Sequence, residues 1–200
     1  MKVPGVCAFF LVFSLAFFVA TPRSKGQGMG YQHPAFTLRS QIHKSGELAG
    51  EQTLYFFSNG DFREVKRDGD HLYGTMRIRG KGFYVIDDSR QSIREEKRVN
   101  IAAYMPIQSE QELRGSPGYI NNDTLLGIDC MVVRETDPQT NKPLSEIWYA
   151  PRAVGFAALK EILYDRETGE ELLRLEPVSL QFGEPDRSLL NLPNYPMRSP

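Results

Sequence analysis

The groups in this 200-residue chain that could ligate a metal, move a proton or attack a substrate are three histidines, two cysteines, and scattered serines and carboxylates. His33, His43 and His71 each lack a second histidine three or four residues away, the spacing that puts two imidazoles on one helical face around a metal. No serine stands in a Gly-x-Ser-x-Gly elbow, and Gly80-Lys81-Gly82 lacks the further glycines and the Ser or Thr of a phosphate loop. Cys130, within Ile128-Asp129-Cys130-Met131-Val132-Val133, has no neighbouring base or cation and reads as a small buried hydrophobe. The acidic pairs Asp87-Asp88, Glu95-Glu96 and Glu170-Glu171 would point to opposite faces of a strand, which suits solvated turns better than an acid–base couple. These residues predict a non-enzymatic protein with no metal site and no cofactor.

Charge excludes another class. Lys plus Arg number 24 against 25 Asp plus Glu, for a formal net charge of -1, and a phosphate-neutralising nucleic-acid binder needs a basic excess. Residues 61–100 look basic but nearly cancel, and read as a solvated sheet face. With 12 Phe, 9 Tyr and one Trp there is ample material for a core.

The chain opens with Lys2 and then an apolar run from Val6 to Ala20 whose one polar residue is Ser14, the pattern of a secretory leader. Cleavage near Ala20 would leave Cys130 without a disulfide partner, so the core must hold the fold. An uncleaved N-terminal anchor is the alternative, since Val3 to Pro22 is close to a membrane-spanning length. The expected organisation is a signal peptide over 1–20, a flexible segment over 21–34 and one antiparallel β domain over 35–200. The expected location is periplasmic or secreted.

Within that domain, turn signals recur at short intervals from Gln52 onward: Asn59-Gly60, Asp68-Gly69, Gly80-Lys81 and Asp87-Asp88-Ser89. Asn59-Gly60 as a two-residue type I′ turn would set Phe57 opposite Phe62 and Leu54 opposite Val65, with Tyr55, Phe57 and Phe62 on one face. Gly80-Lys81 as a type II′ turn would set Ile78 opposite Phe83 and Met76 opposite Val85, giving the second hairpin one apolar face. Beyond Gly127, the segments Asp137 to Asn141 and Asp165 to Gly169 close two further hairpins, Asp bonding the turn backbone and Asn or Gly taking positive φ. At Pro177 the apolar alternation changes phase from Leu173 and Leu175 to Val178, Leu180 and Phe182, which marks a bulge or an edge.

Helical signals are sparse. Ser109-Glu110-Gln111-Glu112 is a capping box stopped by Gly115 and Pro117; Asp186 can cap a turn carrying Leu189 and Leu190 before Pro193; and Ser92 to Met105 suits helix or strand. The fold class is therefore mainly β, a curved antiparallel sheet or incomplete β-barrel with one or two short helices.

The segments YFFSNGDFREV (Tyr55 to Val65), EIWYAP (Glu146 to Pro151), ALKEILYDRETGE (Ala158 to Glu170) and FGEPDRSLLNLPNY (Phe182 to Tyr195), behind the leader, resemble exported bacterial proteins whose order of elements is similar to the lipoprotein-carrier superfamily. The resemblance implies a strongly curved half-barrel that takes acyl chains against its concave face. On that reading the chain is a binding protein for a lipid, acyl chain or other apolar partner, with Tyr55, Phe57, Phe62, Met76, Ile78, Phe83, Val85 and Trp148 lining the site. The competing reading is a structural or protein-interaction module of the cell envelope with a solid core, its partner an envelope protein.

Overall fold

The computed structural model describes residues 34–96, 110–155 and 157–198. The leader, Ser109, Phe156 and most of the ambiguous Ser92 to Met105 stretch lie outside them. Twelve strands form one sheet: β1 Phe36–Lys44, β2 Glu47–Phe56, β3 Phe62–Asp68, β4 His71–Ile78, β5 Gly82–Asp87, β6 Ser92–Glu95, β7 Tyr119–Leu125, β8 Ile128–Thr136, β9 Pro143–Tyr149, β10 Ala158–Tyr164, β11 Glu171–Phe182 and β12 Met197–Arg198. Their spatial order is β12-β6-β5-β4-β3-β2-β1-β11-β10-β9-β8-β7, antiparallel throughout except for the β12–β6 pair. Two hairpin meanders, β1 to β6 and β7 to β11, are thus joined where β1 meets β11. The expected curved, unclosed β architecture is the one found. Its short helices among the described residues are α1 (Glu110–Gly115), α2 (Pro151–Val154) and a 3₁₀ turn at Arg187–Leu190, within which Ser188 N–H donates to Asp186 Oδ1 at 2.9 Å.

The late turns form as the sequence predicts. Asp137 Oδ1 accepts from the N–H groups of Gln139 and Thr140, Asp165 Oδ1 from those of Glu167 and Thr168, and Asn141 (φ 56°) and Gly169 (φ 78°) close the loops. The phase change at Pro177 is a bulge: Arg39 pairs Ser179 while Ser40 pairs Pro177, leaving Val178 as the extra residue. β11 is an interior strand, so the edge alternative falls away.

Two registers differ from expectation by one residue. Phe56, not Phe57, faces Phe62, and Thr53, not Leu54, faces Val65. The loop is the three residues Ser58 to Gly60: Gly60 N–H donates to Phe57 C=O and Phe57 N–H to Asp61 C=O, both at 2.9 Å, with Gly60 at φ 83°. This is a type I turn followed by a left-handed glycine, and Asn59 does not take the positive φ that a type I′ turn needs. Its side chain instead accepts from Asp61 N–H at 3.0 Å and donates to Asp61 Oδ2 at 2.7 Å, which holds the longer loop. In the second hairpin Ile78 pairs Gly82, Arg77 pairs Phe83 and Thr75 pairs Val85, around the loop Arg79 to Lys81 closed by Lys81 N–H to Ile78 C=O at 3.0 Å. Gly80 (φ 77°) sits where a type II turn needs positive φ. Asp61 joins the two loops, its Oδ1 accepting from Arg79 N–H at 2.5 Å.

Because side chains alternate with period two, each one-residue shift exchanges the faces of one strand relative to its partner. Phe56, Phe62, Phe83 and Val85 therefore share one face with Phe36 and Leu38, and Met76 and Ile78 lie on the other. The first group belongs to a buried cluster that also takes in Cys130, Val132, Trp148, Val154 and Leu159. Phe36 stacks on Phe56 at 5.3 Å and Phe62 meets Phe83 edge to face at 5.9 Å, ring pairs each contributing about 0.5–1.5 kcal/mol beyond burial. Met76, with Tyr84, Ile86 and Ile93, forms a second cluster on the opposite face, covered by Leu190, Leu192 and Tyr195 from the C-terminal segment. Leu190 and Leu192 of the turn that Asp186 caps thus cover the face opposite the aromatic rings.

Candidate functional site

The eight residues expected to line one apolar site are dispersed. Phe62, Phe83, Val85 and Trp148 come together in the first cluster; Met76 and Ile78 belong to the second, on the opposite face; Tyr55 and Phe57 are in neither. The cause is the register: the expected apolar face of the second hairpin combined Met76 and Ile78 with residues that point the other way. Met76 and Phe57 are fully buried, and Phe62, Phe83 and Trp148 are also buried among their neighbours.

Trp148 is anchored by its polar edge as well as its ring. Its Nε1–H donates to Asp123 Oδ2 on β7 at 2.8 Å, and Lys160 Nζ lies 4.9 Å from the ring centroid while pairing with Glu176 at 2.8 Å. That hydrogen bond, with Thr124 N–H, holds the Asp123 carboxyl below its ordinary range. Beside it an open cleft of about 280 Å³ is lined by Glu110, Arg114, Asp123, Asp129, Cys130 and Arg152. Glu110 occupies both arginines, at 3.0 Å from each, so its carboxyl is held low. Burial pushes the Cys130 thiol up, away from the thiolate form a nucleophile needs. Among the described residues, no group of three His, Cys, Asp or Glu side chains could hold a metal ion.

A polar cluster lies next to the aromatic rings, on the same face. Register places Gln52, Lys66 and Tyr73 side by side across β2, β3 and β4, and Ser40 of β1 beside Gln52. Lys66 Nζ sits 3.1 Å from Glu64 Oε1, and Thr75 Oγ1 donates to Glu64 Oε2 at 3.1 Å. Burial alone would lower the Lys66 pKa, but the charge and hydrogen bond of Glu64, helped by Tyr73 and Glu161, outweigh it and raise it. Glu161 stands on β10, four strands from β3. Register carries this face from Lys66 through Gln52, Ser40 and Ile42 to Leu175 and Glu161, and it is called the inner face below.

The inner cluster continues across the second meander. Burial pushes the Tyr149 hydroxyl up to about 12, with Glu161 and Glu135 adding to the shift. Burial also raises Glu135, against the hydrogen bond of Ser145 opposite it. Gln52, 8% exposed, carries a buried Oε1 with no hydrogen-bond partner. Sequence reasoning assigned the charges of residues 61–100 to a solvated face and missed this group. The signal that would have found it is the in-phase placement of Glu64 and Lys66 with Phe62, which becomes legible only once the register is known.

No protein-family model matches the chain, and no curated protein matches it. Among solved structures, the Pseudomonas aeruginosa MucA/MucB complex superposes with a TM-score of 0.50 at 17% identity, over 81% of this chain and 56% of the matched chain. This chain thus spans little more than half the length of that relative, and what the two share is the fold. An outer membrane lipoprotein-sorting protein domain from Vibrio parahaemolyticus (TM-score 0.30, 10% identity, 80% of this chain and 90% of that one) is also matched. So is a LolA superfamily protein from Nitrosomonas europaea (TM-score 0.28, 12% identity, 80% and 91%). What the comparisons establish is the fold that the chain shares with the MucA/MucB structure.

Proposed function

We propose that this chain is an exported, non-enzymatic binding module of the cell envelope, working in the periplasm, whose curved sheet engages a polypeptide partner. The observation that carries this reading is the packing of the inner face. Phe36 with Phe56, and Phe62 with Phe83, fill part of that face with their own rings, and Gln52, Glu64 and Lys66 set polar groups beside them. The fold shared with MucB, a protein solved in complex with MucA, supports a protein partner. The leader at Lys2 to Ala20 supports export.

The acyl-carrier reading keeps one point of support: Phe62, Phe83, Val85 and Trp148 belong to one continuous apolar cluster. The two readings separate in one experiment. The protein is purified from its native envelope with a photo-crosslinking amino acid at Tyr73, and a parallel sample is extracted with chloroform and methanol for mass spectrometry. A crosslinked adduct to a discrete polypeptide, with no stoichiometric lipid, is the expected result. Stoichiometric acyl lipid without an adduct would establish the carrier instead.

A further inference from the structure

We infer that the outer edge of β6 is a docking site for an extended segment of the polypeptide partner, one that carries an aromatic residue and, three residues on, a carboxylate. The chain's own C-terminal segment holds this site as a displaceable surrogate. The inference rests on the reading that the partner is a protein. The first observation is that the edge already takes a peptide. Ile93 N–H donates to Pro196 C=O at 3.2 Å, β12 adds to β6 at Met197 and Arg198, and Tyr195 with Leu190 and Leu192 covers Met76, Tyr84, Ile86 and Ile93. The hold at the edge is slight. β12 is two residues long, both exposed, and among the described strands its pairing alone is parallel, which is slightly weaker per residue than antiparallel pairing.

The second, independent observation is a mismatch of charge. Register sets Arg198 beside Arg94, two guanidinium groups on adjacent strands, and among the described residues Arg198 has no carboxylate partner. Arg94 pairs with Glu96 through Nη2 at 2.5 Å, while its Nε is buried without an acceptor. A guanidinium carries five donors in a fixed fork, so a second carboxylate can bind without displacing Glu96. A partner strand with Asp or Glu where β12 has Arg198 would replace a repulsion with a charge-assisted hydrogen bond. Such a strand outcompetes the chain's own segment at the same edge.

The probe is a C-terminally amidated peptide of Asp186 to Arg198, made once with the natural sequence and once with Arg198→Glu, titrated into the 15N-labelled protein. The expected result is a saturable shift of the Ile93 amide, with the protein's own Met197 amide moving toward its unstructured position as β12 leaves. The Arg198→Glu peptide should bind roughly tenfold more tightly, by one charge-assisted hydrogen bond. Arg94→Gln in the protein should erase that preference while both peptides still bind. Arg198→Glu in the protein itself should strengthen the surrogate, slowing hydrogen exchange at the Ile93 amide and weakening uptake of either peptide. No saturable shift with either peptide, equal affinities, a preference that survives Arg94→Gln, or faster exchange in the Arg198→Glu protein would overturn the inference. A polypeptide crosslinked at Tyr73 while neither peptide binds would sink this inference and leave the proposed function standing. Stoichiometric lipid without an adduct, alongside the full peptide response, would sink the proposed function and leave the peptide preference of the β6 edge standing.

Discussion

Asp137 and Arg166 sit in different hairpin turns, one between β8 and β9 and one between β10 and β11, and meet at 2.7 Å between Nε and Oδ2. The Asp137 side chain is 2% exposed although it is charged, because every direction it faces offers a donor: Gln139 N–H, Thr140 N–H and the guanidinium. A second contact, Lys142 Nζ donating to Glu167 C=O, ties the same two turns together. The tips of neighbouring hairpins are thus locked by side chains that each turn already uses for its own closure.

The first prediction follows from the Asp137 carboxyl, which the two backbone N–H groups and then Arg166 hold below its ordinary value near 3.8. A carboxyl whose pKa falls on folding adds stability above its unfolded pKa and loses that contribution as the pH drops toward the folded value. Asp137→Asn should therefore melt lower than wild type at pH 7, and the two melting curves should converge as the pH falls below about 4. Thermal unfolding followed by circular dichroism from pH 2 to 7 measures this. A difference independent of pH would mean that the charge of Asp137 contributes nothing.

Gly60 takes φ 83° at the end of its three-residue loop. A β-branched side chain there is strained, so Gly60→Val should lose roughly 1–2 kcal/mol in urea unfolding. Equal midpoints for the two proteins would show that the loop takes another form in solution.

Gly74, on β4 opposite Val65, is required by space and not by φ. A Cβ built on it would lie 2.0 Å from the Glu64 carbonyl oxygen and 3.1 Å from Val65 Cα, backbone atoms that cannot swing aside. Gly74→Ala should destabilise by about 1–3 kcal/mol. Gly115→Ala, where nothing lies within 4 Å, is the control and should be neutral or mildly stabilising.

Leu126 adopts φ 52° beside Gly127 in the tight turn between β7 and β8, with its side chain exposed. Asparagine tolerates that conformation better, so Leu126→Asn should raise stability by about 0.5–1 kcal/mol. A lower melting temperature in the variant would reveal a role for the leucine that the fold does not show.

Cys130 is 1% exposed with its thiol pKa raised by burial. Its reaction with a thiol reagent should be far slower in the native protein than in urea, and should accelerate in parallel with unfolding. Rapid native modification at neutral pH would reverse the reading of this residue as inert.

The amino-acid sequence by itself determined the local grammar of this protein: mainly β structure, the Asp-led turns at Asp137 and Asp165, the short helix before Gly115, the Asp186 cap and the bulge at Pro177. Each depends on residues within a few positions of one another, whose chain geometry and hydrogen-bonding options are nearly closed locally. It left β1 and β7 unmarked because their tight turns, Ser45-Gly46 and Leu126-Gly127, carry weak signals, whereas Asn59-Gly60 carries a strong signal that the structure uses differently. Tertiary structure decided which faces the side chains share. Asp61 bonding Arg79 N–H favours the three-residue loops over two-residue turns, and a single residue of loop length moves Phe83 and Val85 away from Met76 and Ile78. Lys66 and Glu161 are 95 positions apart and four strands apart, and only the strand register puts them on one face of the sheet.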